Sequence, residues 1–314
     1  MSLFAPDYYT QFYCIADRCR HSCCIGWEID IDEDTLEYYG TIDGEIGERL
    51  KKDIICKDGT ACFALGENER CCFLNQNGLC DIITELGEQA LCQICDDHPR
   101  YRNFYSDRTE IGVGLCCEAA AKLIVSAQNK TQMVCIEDYG EEMLYQDEAE
   151  FLQLRQRIFD IAQDRNCTVE NRLQQLICKY SISMPQKTAA QWAEIYRKLE
   201  KLDDARDVLL SQLENAEQTQ LVLPQTTEYQ TAFEQLLVYF IYRHLTDSLD
   251  DGLFGERMAF AVLSCQMIMW FCGVHYHTNG KLTIEDIAEI ARVYSSEVEY
   301  SQDNMDALFE IVAQ

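Results

Sequence analysis

Met258 to Val274, MAFAVLSCQMIMWFCGV, runs 17 residues without a charge. It falls just short of a comfortable membrane span, contains Ser264 and Gln266, and stands alone, so it reads as a buried core helix and no membrane association is expected. The segments around it fit that reading. Helical patterns are predicted over 148–164, 168–180, 186–216, 228–247, 256–274 and 283–314 with breaks. Phe151, Leu154, Ile158 and Ile161 form one apolar stripe, and Phe233, Leu236, Leu237 and Phe240 another. Pro185 and Pro224 punctuate this half, and His275 and His277, beside Asn279-Gly280, are expected in a loop.

Before residue 130 the texture changes to turns, glycines and cysteines. Short helices are expected at Asp32–Tyr39, Glu45–Lys52 and Ile82–Leu86, the last closed by Gly87. Short strands are expected at Cys62–Leu65 and Cys72–Leu74, and a hairpin over Tyr101–Leu115 that turns at Ser106-Asp107. The predicted fold is mainly α (α+β): a Cys-rich metal-binding lobe, 1–130, followed by a helical domain, 131–314.

The chain of 314 residues holds 18 cysteines. They fall as Cys14, Cys19 and Cys23-Cys24; then Cys71-Cys72 with Cys80; then Cys92-x2-Cys95 and Cys116-Cys117. A chain this long does not need disulfides to be stable, and such short intervals suit thiolate ligation of zinc or an iron–sulfur cluster. Eight thiols can fill two sites, or four can bind while the rest pack. Cys116-Cys117 is expected at the start of a helix, where free N–H groups favour a thiolate. Cys56, Cys62, Cys135, Cys167, Cys178, Cys265 and Cys272 are read as core residues, and His21 as a surface or supporting residue.

Net charge is −28, from 54 acidic and 26 basic side chains, with no basic stripe, so nucleic acid is not an expected partner. The opening MSLFAPDYYTQFYC has neither a basic nor an apolar run, so it does not read as a signal peptide, and a cytoplasmic location is expected.

Several of these residues resemble the flagellin lysine N-methylase family. The opening match is Phe12-Tyr13-Cys14, Cys19, Cys23-Cys24, Gly26-Trp27, Ile29 and Asp32, shared in part with small zinc- or iron-chelating cysteine-cluster proteins. It continues through Cys72-Phe73-Leu74, Gly78-Leu79-Cys80, Leu86-Gly87-Glu88, Cys95 with Pro99-Arg100, and Cys117-Glu118-Ala119-Ala120. It resumes at Tyr294-Ser295-Ser296-Glu297-Val298-Glu299-Tyr300-Ser301 and Asn304. His98 stands where the family usually has Tyr, and Cys71, Cys92 and Cys116 lie outside the pattern.

The resemblance implies transfer of a methyl group from S-adenosylmethionine to lysine side chains of flagellin. It also implies an iron–sulfur cluster of the 4Fe–4S type rather than zinc, a choice that four thiolates alone leave open. The thiols carried over as metal ligands are Cys14, Cys19, Cys23, Cys24, Cys72, Cys80, Cys95 and Cys117.

No strand–GxGxxG–helix unit supports a donor site, and Gly112-Val113-Gly114 reads as a strand end. A C-x3-C-x2-C spacing is absent too. Amine methylation needs only a deprotonated lysine aligned with the methyl carbon and sulfur. Glu297, Glu299 and Tyr300 are therefore the catalytic candidates, with Asn304 and Glu118 as cofactor-binding candidates. The alternative, drawn from the surplus thiols, is a metal-binding structural or redox-sensing protein without turnover.

Overall fold

The computed structural model describes residues 1–57, 59–140 and 143–313. It is mainly helical with small sheets, as the sequence predicts. Two compact units are present, Met1–Phe12 together with Tyr101 onward, and Tyr13–Arg100. The sequence places its division near 130; in the structure residues 101–130 pack with the long helices.

The larger unit carries a four-stranded sheet in the order Arg100–Phe104, Arg108–Val113, Ser2–Pro6, Met133–Glu137. Ser2–Pro6 runs parallel to Arg108–Val113, with Phe4 opposite Glu110, and antiparallel to Met133–Glu137, with Ala5 opposite Val134. The predicted hairpin supplies the first two strands, tied at its turn by the Tyr105 N–H donating to Arg108 O at 2.9 Å. Gly112 is required there, because a Cβ would stand 2.4 Å from the Tyr101 ring.

Among the described residues, nine helices of eight or more residues make up most of the rest of the larger unit. Thr227–His244 is buried along most of its length, far beyond a single stripe. It packs beside Phe254–Asn279, the helix that contains the charge-free stretch. A helix apolar on every side needs neighbours on every side. By length and composition Phe254–Asn279 is able to cross a membrane, but 83% of its apolar window is buried inside the protein. Gly273 lets the Gln218–Leu221 turn touch its backbone, since a Cβ would lie 2.8 Å from Gln220 O and Leu221 O.

Caps define most of the helix starts. Thr168, Thr188, Thr226, Thr283 and Ser301 each accept a backbone N–H from the first turn, satisfying a donor the helix leaves open.

Two expectations about the helices are corrected. The predicted 186–216 helix is two helices, Ala189–Arg197 and Ala205–Glu214, because side chains from elsewhere capture the backbone between them. His275 and His277 lie on the last turns of Phe254–Asn279 rather than in a loop, and the helix ends at Gly280, at φ +72°. The 283–314 segment, expected with breaks, is broken at Glu299–Ser301 into Ile284–Val298 and Gln302–Val312; Gln314 lies outside the described residues.

In the smaller unit, Glu33–Gly40 starts from Asp32, whose carboxylate accepts the Thr35 N–H at 2.9 Å. Gly44–Asp53 leads into an antiparallel pair, Ile54–Lys57 with Thr60–Phe63. Cys72–Leu74 is not a strand; single bridges, Leu65 with Cys71 and Leu74 with Cys80, hold that segment. Asp81–Leu86 ends at Gly87 as predicted, and Gln93–Asp97 follows. Ile29, Tyr39, Leu50, Phe63, Phe73 and Ile82 form a core of their own, which also takes in Cys71 and Cys92.

Candidate functional sites

Six thiols of the smaller unit share one core. Cys71 and Cys92 are buried in it, and Cys24, Cys72, Cys80 and Cys95 pack against it. Local structure places them: Cys80 and Cys92 are the N-caps of Asp81–Leu86 and Gln93–Asp97, and the Cys71 N–H donates to Cys24 O at 2.8 Å. Five of the six stand in hydrogen-bonded thiol pairs, Cys71 with Cys72, Cys92 with Cys95, and Cys24 with the exposed Cys23.

Those pairs set the acidities. The hydrogen bond with Cys23 brings the Cys24 thiol down to about 7, with Ser22 and Arg70 adding to the effect. In the other two pairs one sulfur gains thiolate character at its neighbour's expense: Cys71 is lowered and Cys72 raised, Cys92 lowered and Cys95 raised. Cys80 is raised by burial. Across the pairs, Cys24, Cys71, Cys80, Cys92 and Cys95 feel one another's charge.

Among the described residues no three His, Cys, Asp or Glu side chains are gathered as metal ligands. By donor chemistry the six thiols suit a thiolate-held metal or cluster. Of the expected set, Cys24, Cys72, Cys80 and Cys95 share this core, Cys14 and Cys23 are exposed, Cys19 is half-buried, and Cys117 belongs to the larger unit. Cys71 and Cys92, outside the sequence pattern, are the most buried of the group. Three cysteines expected in the core, Cys56, Cys135 and Cys178, are exposed, while Cys62, Cys265 and Cys272 are buried and Cys167 is half-buried.

The second site lies in the larger unit, where Ile284–Val298 ends. The Glu299 side chain is fully buried. Its Oε1 lies 2.6 Å from His244 Nε2 and 3.2 Å from Arg243 Nε, and its Oε2 accepts from Ser295 Oγ at 2.5 Å and Tyr239 OH at 3.1 Å. The Tyr239 hydroxyl in turn accepts from Arg243 Nη1 at 2.7 Å and the Leu115 N–H at 3.1 Å. Burial alone raises a carboxyl; here Arg243 and the His244 and Ser295 hydrogen bonds outweigh it and hold Glu299 below the ordinary glutamate range. Burial pushes the His244 imidazole down, against the pull of Glu299.

From this buried pair the arrangement runs outward. The Arg243 guanidinium lies 4.9 Å from the Tyr101 ring centre and 5.5 Å from that of Tyr300. Tyr300, 44% exposed, hydrogen-bonds Cys116, whose thiol burial pushes up to about 12. Glu299 is therefore a held counter-charge, and Tyr300 is the most exposed member of the group.

Glu297 and Asn304 do different work. Glu297 Oε1 accepts the N–H groups of Leu202, at 2.9 Å, and Asp203, and its Oε2 pairs with Arg206 Nη1 at 2.9 Å. Asn304 accepts from the Glu200 N–H at 2.7 Å and donates to Glu200 O at 2.9 Å and Glu297 O at 2.6 Å. Both residues pin the connection between Ala189–Arg197 and Ala205–Glu214. Glu118 opens the Glu118–Ser126 helix, half-buried, directly after the Cys117 N-cap.

Sequence reasoning missed Tyr239, Arg243 and His244, because side chains inside an apolar helical stripe pass for core. It missed two buried ion pairs for the same reason: Arg155 with Glu110, at 2.6 Å, and Arg172 with Glu234, at 2.9 Å. A glutamate inside AFEQLLVYF was the available signal.

These features define a mainly helical protein with a buried carboxylate–guanidinium site and a separate thiol-rich unit. A model of the FliB lysine N-methylase C-terminal domain matches residues 101–314, and the chain belongs to that family. The match begins where the smaller unit ends. A "Lysine-N-methylase" of Salmonella typhimurium (strain LT2) is 27% identical over 130 residues, 38% of this chain and 32% of the relative. A "Lysine-N-methylase" of Salmonella choleraesuis has the same identity and coverage. The "Flagellar biosynthetic protein FliU" of Salmonella muenchen is 28% identical over 130 residues, 38% of this chain and 75% of that protein. The similarity thus spans about a third of the length of the lysine N-methylases. No solved structure matches the chain.

Proposed function

We propose that the protein is a cytoplasmic lysine N-methylase that transfers methyl groups from S-adenosylmethionine to lysine side chains of flagellin. Family membership over residues 101–314 is the observation that carries this reading. Bound S-adenosylmethionine supplies an electrophilic sulfonium methyl. The lysine ammonium first gives up a proton to water; its nitrogen lone pair then bonds the methyl carbon as the carbon–sulfur bond breaks, its electron pair staying on sulfur, leaving S-adenosylhomocysteine and a methylated lysine ammonium.

Tyr300 is the residue assigned to contact the lysine nitrogen, oriented by Arg243 and, through it, by Glu299. Glu297 and Asn304 act as positioning residues through the 198–204 connection, and Glu118 is kept as a cofactor contact. A thiolate-held iron–sulfur cluster of the 4Fe–4S type, or zinc, belongs in the smaller unit on Cys24, Cys72, Cys80 and Cys95. Cys14, Cys19 and Cys23 complete the candidate ligands of that unit, and Cys117, a candidate by family resemblance, lies in the larger unit.

The test is incubation of anaerobically purified protein with flagellin and methyl-labelled S-adenosylmethionine, followed by mass mapping of lysines. Label on flagellin lysines is the expected result; label nowhere, from protein that carries its metal, sinks the reading. The second reading, a metal-binding or redox-sensing protein without turnover, draws support from the hydrogen-bonded thiol pairs, and the same assay separates the two.

A further inference from the structure

The larger unit has an open cleft of about 270 Å³, lined by Arg165, Arg172, Thr168, Gln230, Thr231 and neighbouring polar residues, with no carboxylate among them. On a chain with net charge −28 that composition requires an explanation. The cleft is built on Glu234, which is fully buried and receives Arg165 Nη2 at 2.8 Å and Arg172 Nη1 at 2.9 Å. Two guanidinium groups against one carboxylate leave a positive charge. Arg172 is 1% exposed and uses Nε on Cys167 O and Nη1 on Ala162 O and Glu234, while its Nη2 makes no hydrogen bond to any described residue. Thr231 is 4% exposed, and its hydroxyl also has no hydrogen-bond partner among the described residues. Neither atom is sealed from solvent, so each is a hydrogen-bond donor left available beside the cleft. The first turn of Val169–Lys179, capped by Thr168, adds the positive end of a helix. Two acids stand outside the lining: Asp164, which is engaged by Asn166 and feels the charge of Arg172, and Glu170, whose Oε1 is engaged by Gln225 while its Oε2 is buried without a partner among the described residues.

We propose that this cleft is an oxyanion site, taking a small molecule through a phosphate or carboxylate group held by Arg165, Arg172 and Thr231. The forked guanidinium matches either group. S-adenosylmethionine is a poor occupant, since its sulfonium and ammonium find no carboxylate in the lining. The anion is therefore a second ligand, beyond the proposed methyl donor and lysine substrate.

The test is calorimetric titration of the full chain with inorganic phosphate and, separately, with succinate, ionic strength held constant with chloride. Saturable binding of at least one is expected, weakened tenfold or more in Arg165→Gln and in Thr231→Val, with circular dichroism unchanged. Phosphate alone identifies a phosphorylated ligand, and succinate alone a carboxylate. Absence of saturable binding by both, or equal binding in both variants, overturns the proposal, as does competition by S-adenosylmethionine. The titration does not depend on methyl transfer, so its failure and failure of the methylase reading are distinguishable.

Discussion

Glu299 Oε1 and His244 Nε2 lie 2.6 Å apart with neither side chain open to solvent, and Arg243 supplies the charge that keeps the carboxylate ionised there. Glu299→Gln leaves Arg243 buried without its counter-charge. The expected loss is about 3 kcal/mol or more of unfolding free energy, read from urea curves of the larger unit's helices. A loss under about 1 kcal/mol, the size of a surface pair, contradicts the ionised assignment.

The same pair predicts acid sensitivity. His244 is held below its ordinary value, so between neutral pH and that lowered value the unfolded chain takes up a proton there that the folded chain refuses. Stability therefore falls as pH drops below about 6.5, the unfolded histidine value. Glu299, held low, contributes stability that is present above about 4.3, the unfolded glutamate value, and lost as pH falls through its folded one. Both terms act in the same direction. Urea midpoints at pH 7.5 and 5.5 should diverge in the natural protein and diverge less in His244→Gln.

Glu297 and Tyr300 should separate by phenotype although three residues apart. Glu297→Ala frees the Leu202 and Asp203 N–H groups and leaves Arg206 unpaired, so stability falls by about 3 kcal/mol. Tyr300→Phe removes one hydroxyl from a half-exposed ring; thermal stability should stay within a few degrees while the rate of flagellin methylation drops tenfold or more. The reverse pattern reassigns the catalytic role to Glu297.

The thiol core makes a prediction about metal content. Cys80→Ser and Cys95→Ser should lower iron and acid-labile sulfide per chain by half or more after anaerobic purification, and Cys56→Ser should leave both unchanged. Stoichiometric zinc without sulfide would make the unit a structural zinc module.

Gly273→Ala tests the packing of the central helix. Its Cβ meets backbone of Gln220 and Leu221 at 2.8 Å, which cannot rotate away, so a cost of about 1–3 kcal/mol is expected as a lowered urea midpoint.

The helices were legible because their apolar stripes are local signals. The strands Ser2–Pro6 and Met133–Glu137 were not: each is five residues, and each is a strand only through a partner distant in sequence. The 198–204 connection was misread as helix because Glu297 and Asn304, about a hundred positions on, decide its backbone. In the candidate sites the C-terminal motif pointed to Glu299 and Tyr300. It gave no warning that Glu297, two residues before Glu299, holds a loop, since opposite destinies for alternate residues depend on where the helix ends. Cys71 and Cys92 were set aside on pattern, yet burial makes them central to the thiol core.

The Ser2–Pro6 strand has a consequence for synthesis. Its parallel partner, Arg108–Val113, leaves the ribosome only after the whole of Tyr13–Arg100, so the first strand waits several seconds at about 5–20 residues per second. During that interval the nascent chain presents a thiol-rich segment with its own apolar core, and whatever it captures is in place before the helical unit can close. Compaction of that segment also shortens the flexible loop that the sheet must bridge, lowering the entropic barrier to pairing Ser2 with Arg108. With the proposed metal on the thiols, its supply during translation governs the yield of the helical unit as well as the occupancy of the thiols.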